Sequence, residues 1–399
     1  MTTAPSDAPL LDLVRRAVER GLSERFGGAP VRVAAAHRFP YSRVFRCTLD
    51  AAPGAMPATA IVRLPREGDE DARGGAAPLE RERAALETLE AAAGLPPLAP
   101  RCYAGGAADG FLASEDLGTG PSLLDVLLGA DPGAAARAAL GFARALAALH
   151  SATTQASDAL PFAAPPIADD WRRVSAACAA LELPTPDVAA DRDADQIVRT
   201  LSAPGATLLA LSSGDPSVVN CKAGDDGTVR FFDFEGACRR HALLDAAVAL
   251  RFPYPTGGPP WRLPPEVTSR IEAAYRSELA RGCPAAEDDT TWHMGIAAGT
   301  AAWAVARLLR LPRVDAGPDR DAWPLVPPDW PGPVPERSRR RQLVAILETA
   351  LASPGFPPGL AAWFARLADA LRAHWPEAAE PLPLYRAFVA GSPPPQPGG

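Results

Sequence analysis

The stretch from Leu208 to Leu250, LLALSSGDPSVVNCKAGDDGTVRFFDFEGACRRHALLDAAVAL, decides how the rest of the chain is read. Asp215 is followed by Asn220, and Asp233 comes next inside Phe232-Asp-Phe-Glu235. Between them Asp225-Asp-Gly227 marks a hairpin turn, because a positive φ is cheap at such residues. A turn pivoting between Asp225 and Asp226 sets Asn220 opposite Phe231 and Asp233 opposite Val218. Asn220 and Asp233 are then diagonal neighbours on two strands, with backbones about 7–8 Å apart. Their oxygens can converge on one hard cation, since magnesium takes oxygen ligands at about 2.1 Å and accepts one or two protein carboxylates together with phosphates. Asp215, in the loop before the hairpin, stays available to an incoming hydroxyl.

That division of labour is what phosphoryl transfer asks of a protein. Its transition state is loose, so the protein positions a nucleophile and neutralises phosphate charge through metal. One Asp accepts the hydroxyl proton, while an Asn and a second Asp hold the metal on the nucleotide. A hydrolase reading is poor: Ser212-Ser-Gly214 is not the G-x-S-x-G elbow, and no His partner suggests itself. The five histidines are too dispersed for a metal cluster.

Working outward, the first 117 residues combine strand-like segments (31–35, 44–49, 59–64 and 111–114) with two helical patterns at Leu10–Arg25 and Leu79–Ala93. From Gly118 onward the pattern is mostly helical, with segments near 134–150, 171–181, 190–201, 265–281, 290–311, 336–351 and 360–373. Residues 322–335 hold six prolines and two tryptophans and read as a long ordered loop. GSPPPQPGG, residues 391–399, reads as a disordered tail.

On these residues the sequence resembles the aminoglycoside phosphotransferase family, kinase-like small-molecule kinases that include choline, homoserine and fructosamine kinases. The family's catalytic loop H-G-D-x4-N is matched by Ser213-Gly-Asp-Pro-Ser-Val-Val-Asn220, and its metal motif by Asp233-Phe-Glu235. The resemblance implies an α+β, bilobal, protein-kinase-like fold: a small antiparallel-sheet lobe with one inserted helix over residues 1–117 and a larger, mainly helical lobe over 118–390. It implies Asp215 as catalytic base, Asn220 and Asp233 as Mg2+ ligands, and Asp245 as a brace of the catalytic loop. It places Arg63 where the family has a phosphate-binding Lys, Glu82 as that residue's ion-pair partner, and Glu115 to Leu117 along the adenine of ATP. Three positions depart from the family: Ser213 stands for His, Arg63 for Lys, and the covering loop His37–Arg43 lacks glycines, leaving Ser42 as its donor to phosphate. The implied activity is transfer of the γ-phosphate of ATP to a hydroxyl of a small metabolite or antibiotic. The alternative is a catalytically silent kinase-like protein that binds nucleotide in a regulatory role.

Composition sets the outer bounds. The chain has 399 residues, 47% apolar and 22% charged, as a globular protein does, and its 45 prolines and 33 glycines call for many helix stops. A net charge of −7 without a long basic stretch speaks against nucleic acid or anionic membranes as partners. Six scattered cysteines suggest reduced thiols. The acidic, non-basic N-terminus suggests no signal peptide, and the longest near-apolar run, Met294–Ala306, is too short to span a bilayer. A cytoplasmic protein is expected. Two acidic or basic runs have simpler uses than ligand binding: Glu287-Asp-Asp289 as a helix cap and Arg337 with Arg339-Arg-Arg341 as a solvated face.

Overall fold

The computed structural model describes residues 8–28, 30–39, 42–50, 57–65, 78–92, 95–154, 162, 167–202, 208–251, 261–318, 320–322 and 336–389. The fold is α+β. Five strands, β1 (Arg32–Arg38), β2 (Val44–Asp50), β3 (Thr59–Arg63), β4 (Cys102–Gly106) and β5 (Phe111–Glu115), form an antiparallel sheet in the order β1-β2-β3-β5-β4. Alternation makes one face of the sheet apolar: Phe45, Cys47 and Leu49 on β2 and Ala60 and Val62 on β3 are buried. Helix α1 (Ala8–Arg25) covers that face with Val14, Val18 and Leu22, spaced four apart as a helical stripe requires. Helix α2 (Pro78–Ala91) is inserted between β3 and β4 and buries Leu79, Ala85, Leu86 and Leu89.

The remainder is mainly helical, as the sequence patterning indicates. Helix α3 (Leu123–Leu128) opens on a reciprocal capping box between Ser122 and Asp125. Helix α4 (Pro132–Thr153) is started by the Asp131 side chain and by Pro132, whose fixed φ suits a first helical position. Helices α5 (Ile167–Ala179) and α6 (Val188–Ser202) follow. Four short strands then form two antiparallel pairs: β6 (Leu209–Ser212) with β9 (Cys238–His241), and β7 (Cys221–Ala223) with β8 (Val229–Phe231). Helix α7 (Ala242–Ala246) continues directly from β9, and α8 (Pro265–Ala280) packs along α4. Helix α9 (Asp289–Leu308) presses on α7 so tightly that a Cβ at Gly299 would lie 2.6 Å from the Leu243 carbonyl oxygen. Helices α10 (Leu311–Ala316), α11 (Arg339–Leu351) and α12 (Pro358–His374) complete the chain, with strands β10 (Arg320–Ala322) and β11 (Glu336–Ser338) paired between them. No helix among the described residues is long and apolar enough to cross a membrane.

Several sequence expectations change in detail. Strand β4 was not in the sequence pattern; its signal is Asp109-Gly110, the turn that joins it to β5 with Gly110 at φ 72°. The hairpin register is shifted by one residue from the expected one. Cys221 faces Phe231, because the loop holds three residues, 225–227, with Gly227 at φ 84°. Asn220 therefore lies opposite Phe232, whose N–H donates to the Asn220 carbonyl at 2.9 Å. The helix expected to run to residue 311 ends at Leu308, and the one expected from Glu336 begins at Arg339 after β11. Most of the proline-rich loop and the tail from 391 lie outside the described residues. Asp288 does cap α9, accepting from the Thr291 N–H at 2.7 Å. The basic run is held in place: Arg340 bonds Glu377 at 2.6 Å and lies over the Trp375 ring.

All six cysteines are free thiols, and Cys47, Cys178, Cys221, Cys238 and Cys283 are buried. Burial pushes the thiols of Cys47 and Cys221 up to about 12 and that of Cys178 to about 11.

His241 caps α7 by accepting the Leu243 N–H on Nδ1, and burial, with His150 acting in the same direction, lowers its pKa from 6.5 to about 4. The unfolded chain takes up this proton first on acidification, so stability present above pH 6.5 is lost as pH falls toward 4. Between pH 7 and 5 this amounts to about 2 kcal/mol. Denaturant unfolding of His241→Asn, which keeps a capping oxygen, is expected to show a correspondingly shallower loss over that interval. Equal losses in variant and parent would contradict the assignment.

Candidate active site

Three segments build the site. The loop after β6 carries Ser213, Gly214 and Asp215; the start of β7 follows Asn220; the turn after β8 carries Asp233 and Glu235. Gly214 has φ 86°, and a Cβ there would stand 2.2 Å from the Gly236 carbonyl oxygen, so only glycine lets the two turns touch. This contact sets the Asp215 loop beside the turn that carries Asp233. Asp233 itself has φ 68°, a left-handed conformation that Asp tolerates better than most side chains. The Asp215 carbonyl accepts from the Ser217 N–H at 2.8 Å and the Asn220 Nδ2 at 3.1 Å, closing the loop on itself. Asn220 Nδ2 also lies 3.3 Å from Asp215 Oδ2.

Behind this loop stands a buried polar brace. Asp245, fully buried on α7, meets the guanidinium of Arg240, the Ser212 hydroxyl and, at 3.2 Å, His150 Nε2. Its carboxyl is held below the usual range because those partners outweigh its burial. With His150 Nε2–H donating to Asp245, Nδ1 accepts from the Tyr275 hydroxyl at 2.6 Å, a tautomer assigned from the network. Asp245 thus lies behind the loop and touches its first residues through Ser212, where a brace was expected. His150 lies buried in the last turn of α4, and its link to Asp245 was not legible in the sequence, nor was that of Arg240.

Arg63, on β3, reaches the site from the sheet. Its Nη2 lies 2.6 Å from Asp233 Oδ1 and its Nη1 2.8 Å from Glu235 Oε2. Its Nε stands 2.8 Å from Glu82 Oε2, a charge contact whose angle makes no hydrogen bond. The expected Arg63–Glu82 pair therefore forms, and two further carboxylates join it, so Glu235 is an ion-pair partner. Burial, opposed by Arg63 but reinforced by Asp233 and Glu235, pushes the Glu82 carboxyl up to about 7.

The other expected nucleotide contacts differ. Ser42 donates its hydroxyl to the Phe39 carbonyl at 3.0 Å, and its N–H points at the same oxygen. Its donors close its own turn, and a phosphate contact would require that turn to open. Pro40 and Tyr41 lie outside the described residues. Glu115 holds Arg230 of β8 in a two-pronged pair at 2.8 and 2.7 Å, so its carboxylate ties sheet to hairpin, while Leu117 stays partly exposed two residues on.

The donor set fits a hard divalent cation. Asn220 spends its Nδ2 on Asp215, which leaves Oδ1 as an acceptor, and Asp233 spends Oδ1 on Arg63, which leaves Oδ2. Among the described residues no three His, Cys, Asp or Glu side chains converge as a metal set, so this pair is the candidate. A cavity of about 860 Å³ lies elsewhere, between α8, α9 and α11, and none of Asp215, Asn220 and Asp233 lines it.

No family model and no curated protein matches the sequence. Solved structures do. One from Ralstonia eutropha, described as a putative aminoglycoside phosphotransferase, superposes with a TM-score of 0.51 at 15% identity, over 89% of this chain and 98% of that one. The chain has the kinase-like phosphotransferase fold. Two further structures are similar at lower scores. A macrolide 2′-phosphotransferase from Brachybacterium faecium has TM-score 0.43 and 17% identity over 76% of this chain and 98% of its own. A choline kinase from Streptococcus pneumoniae has 0.42 and 13% over 77% and 92%. In this phosphotransferase fold the sheet, the inserted α2 and the hairpin occupy the order expected from the catalytic-loop resemblance.

Removing one partner from a buried ionic cluster leaves uncompensated charge and costs about 3–5 kcal/mol. Arg63→Met is expected to lose stability in that range by urea unfolding, and Arg63→Met with Glu82→Leu to regain part of it. A loss below about 1 kcal/mol, the size of an exposed pair, would show that the cluster does not hold the sheet to the hairpin.

Proposed function

We propose that the protein is an ATP-dependent O-phosphotransferase acting on a hydroxyl of a small molecule. The observation that carries this reading is the Gly214–Gly236 contact, which sets the loop of Asp215 and Asn220 beside the turn that carries Asp233. The acceptor hydroxyl approaches Asp215, whose carboxylate takes its proton. The hydroxyl oxygen bonds to the γ-phosphorus as the β–γ bridging P–O bond breaks, giving a phosphate ester and ADP. Asn220 Oδ1 and Asp233 Oδ2 would hold Mg2+, which when bound neutralises charge on the phosphates. Arg63 fixes Asp233 and Glu235 in place, and the Asp245–His150–Arg240 brace fixes the loop that presents Asp215. Adenine would lie along Glu115 to Leu117, above the helical part.

A silent nucleotide binder is the second reading, favoured by one observation: Arg63 already holds Asp233 Oδ1. Thermal denaturation separates the two. ATP with Mg2+ is expected to raise the melting temperature of the parent, and Asp233→Ala to lose most of that shift. Asp215→Asn is expected to keep the shift and to lose about 10³-fold or more in turnover, the scale of removing general base and alignment together. A shift without turnover on any alcohol favours the silent binder, and no shift in the parent removes both readings.

A further inference from the structure

The cavity between α8, α9 and α11 has no part in the chemistry proposed above. Its volume, about 860 Å³, is that of a small-molecule site, which typically runs from about 300 to 1,000 Å³. Leu250, Leu263, Ala273, Ala345 and Leu382 give it apolar walls, and a few charged side chains stand among them, the mixture such sites carry. The walls are held in place. Arg251 donates to Glu272 on α8 at 2.7 Å and to Ser353 just after α11 at 2.9 Å, so one guanidinium ties both sides together. Arg251 also ends a single turn of π-helix, Ala247–Arg251, that continues α7; such turns are rare and concentrate at functional sites. Arg262 is pinned by its backbone, its N–H donating to the Pro383 carbonyl at 2.8 Å and its carbonyl accepting from the Tyr385 N–H at 3.0 Å.

The arginines and glutamates on these walls are matched, with one exception. Glu272 is paired with Arg251, and Glu348 with Arg372 at 2.6 Å. Arg276 lies over the Trp292 ring and gives Nε and Nη2 to the carbonyls of Ala286 and Glu287, with Asp289 beside it at 2.7 Å. Arg262 has no carboxylate partner among the described residues. Its Nε donates to the Leu382 carbonyl at 2.9 Å, which helps to fix the guanidinium plane, while Nη1 and Nη2 make no hydrogen bond to those residues. These two nitrogens form the end of the planar fork, where a single carboxylate can take one N–H from each. Arg262 is exposed, so it stands at the mouth of the cavity, with Leu263 and Leu382 as apolar neighbours.

We infer that this cavity is a second ligand site and that its ligand is a small amphipathic carboxylate. Arg262 receives the carboxylate end-on at the mouth, and the hydrocarbon part displaces water from the apolar walls. An amine would instead bring like charge to the one unmatched guanidinium, and a neutral molecule would leave that charge without a partner. Because none of Asp215, Asn220 and Asp233 lines the cavity, the molecule bound there is neither the phosphate donor nor its acceptor. The inference does not depend on the phosphotransfer reading.

Isothermal titration calorimetry of the full chain tests this with two matched sets: octanoate, octanol and octylamine, and phenylbutyrate, phenylbutanol and phenylbutylamine. At least one acid is expected to bind at one site per chain, about 5- to 10-fold tighter than its alcohol and its amine. That ratio lies between the worth of an exposed ion pair and that of a charge-assisted hydrogen bond. Arg262→Met is expected to bring acid and alcohol to equal affinity, and Arg262→Lys to restore part of the difference. Ala345→Phe puts a ring into the cavity and is expected to abolish binding of both, while the response of the melting temperature to ATP with Mg2+ stays as in the parent. Should Ala345→Phe fail to fold, the Arg262 variants decide, since an exposed side chain tolerates replacement. The inference is overturned if no acid binds, if the alcohol or the amine binds as tightly, or if Arg262→Met leaves acid binding unchanged. A chain that sediments as a dimer and becomes monomeric in Ala345→Phe would overturn it as well, by assigning the cavity to a second copy.

Discussion

One guanidinium holds the two halves of the candidate site together. Arg63 belongs to the sheet, Glu82 to the inserted helix, and Asp233 and Glu235 to the turn after the hairpin, and all four meet in a space from which water is largely excluded. Taking so many charges out of water is costly, and the cost is offset only while every partner stays in position. The arrangement is also unbalanced, with three carboxylates around a single cation. Part of the strain shows in Glu82, the most deeply placed of the three, whose proton affinity rises until it titrates near neutrality. A surplus of negative charge at the point where Asn220 and Asp233 offer free oxygens is what a divalent cation would neutralise.

The second constraint is steric. Two peptide groups, at Gly214 and Gly236, approach closer than any side chain would permit. That approach sets the two turns side by side, and Asp233, at positive φ, directs its carboxylate to Arg63. The Asp245 network is the polar floor beneath, satisfying the buried groups that a loop folded this tightly must carry.

Much of this was legible in the sequence because it is written locally. The spacing from Asp215 to Asn220, the hairpin signal and the Asp233-Phe-Glu235 segment lie within two dozen residues, and alternation and helical periodicity give the sheet and most helices. What could not be read depends on long-range pairing. Nothing local to Arg63 says that it will gather Glu235 as well as Glu82, or that His150 will find Asp245 across 95 positions. The hairpin register was missed for a smaller reason: whether a loop of Asp-Asp-Gly counts two or three residues depends on which carbonyl Gly224 faces, and here it bonds Thr228.

The thiols are distributed with unexpected usefulness. Cys47 belongs to the apolar cluster of the sheet, Cys221 and Cys283 to the central cluster around α4, and Cys178 to the one formed by α5, α9, α11 and α12. Buried and kept protonated, each is inert toward alkylating reagents until its own surroundings part. The chain therefore carries an intrinsic chemical gauge in each of its three apolar layers, able to show which of them loosens first without any added label on the fold.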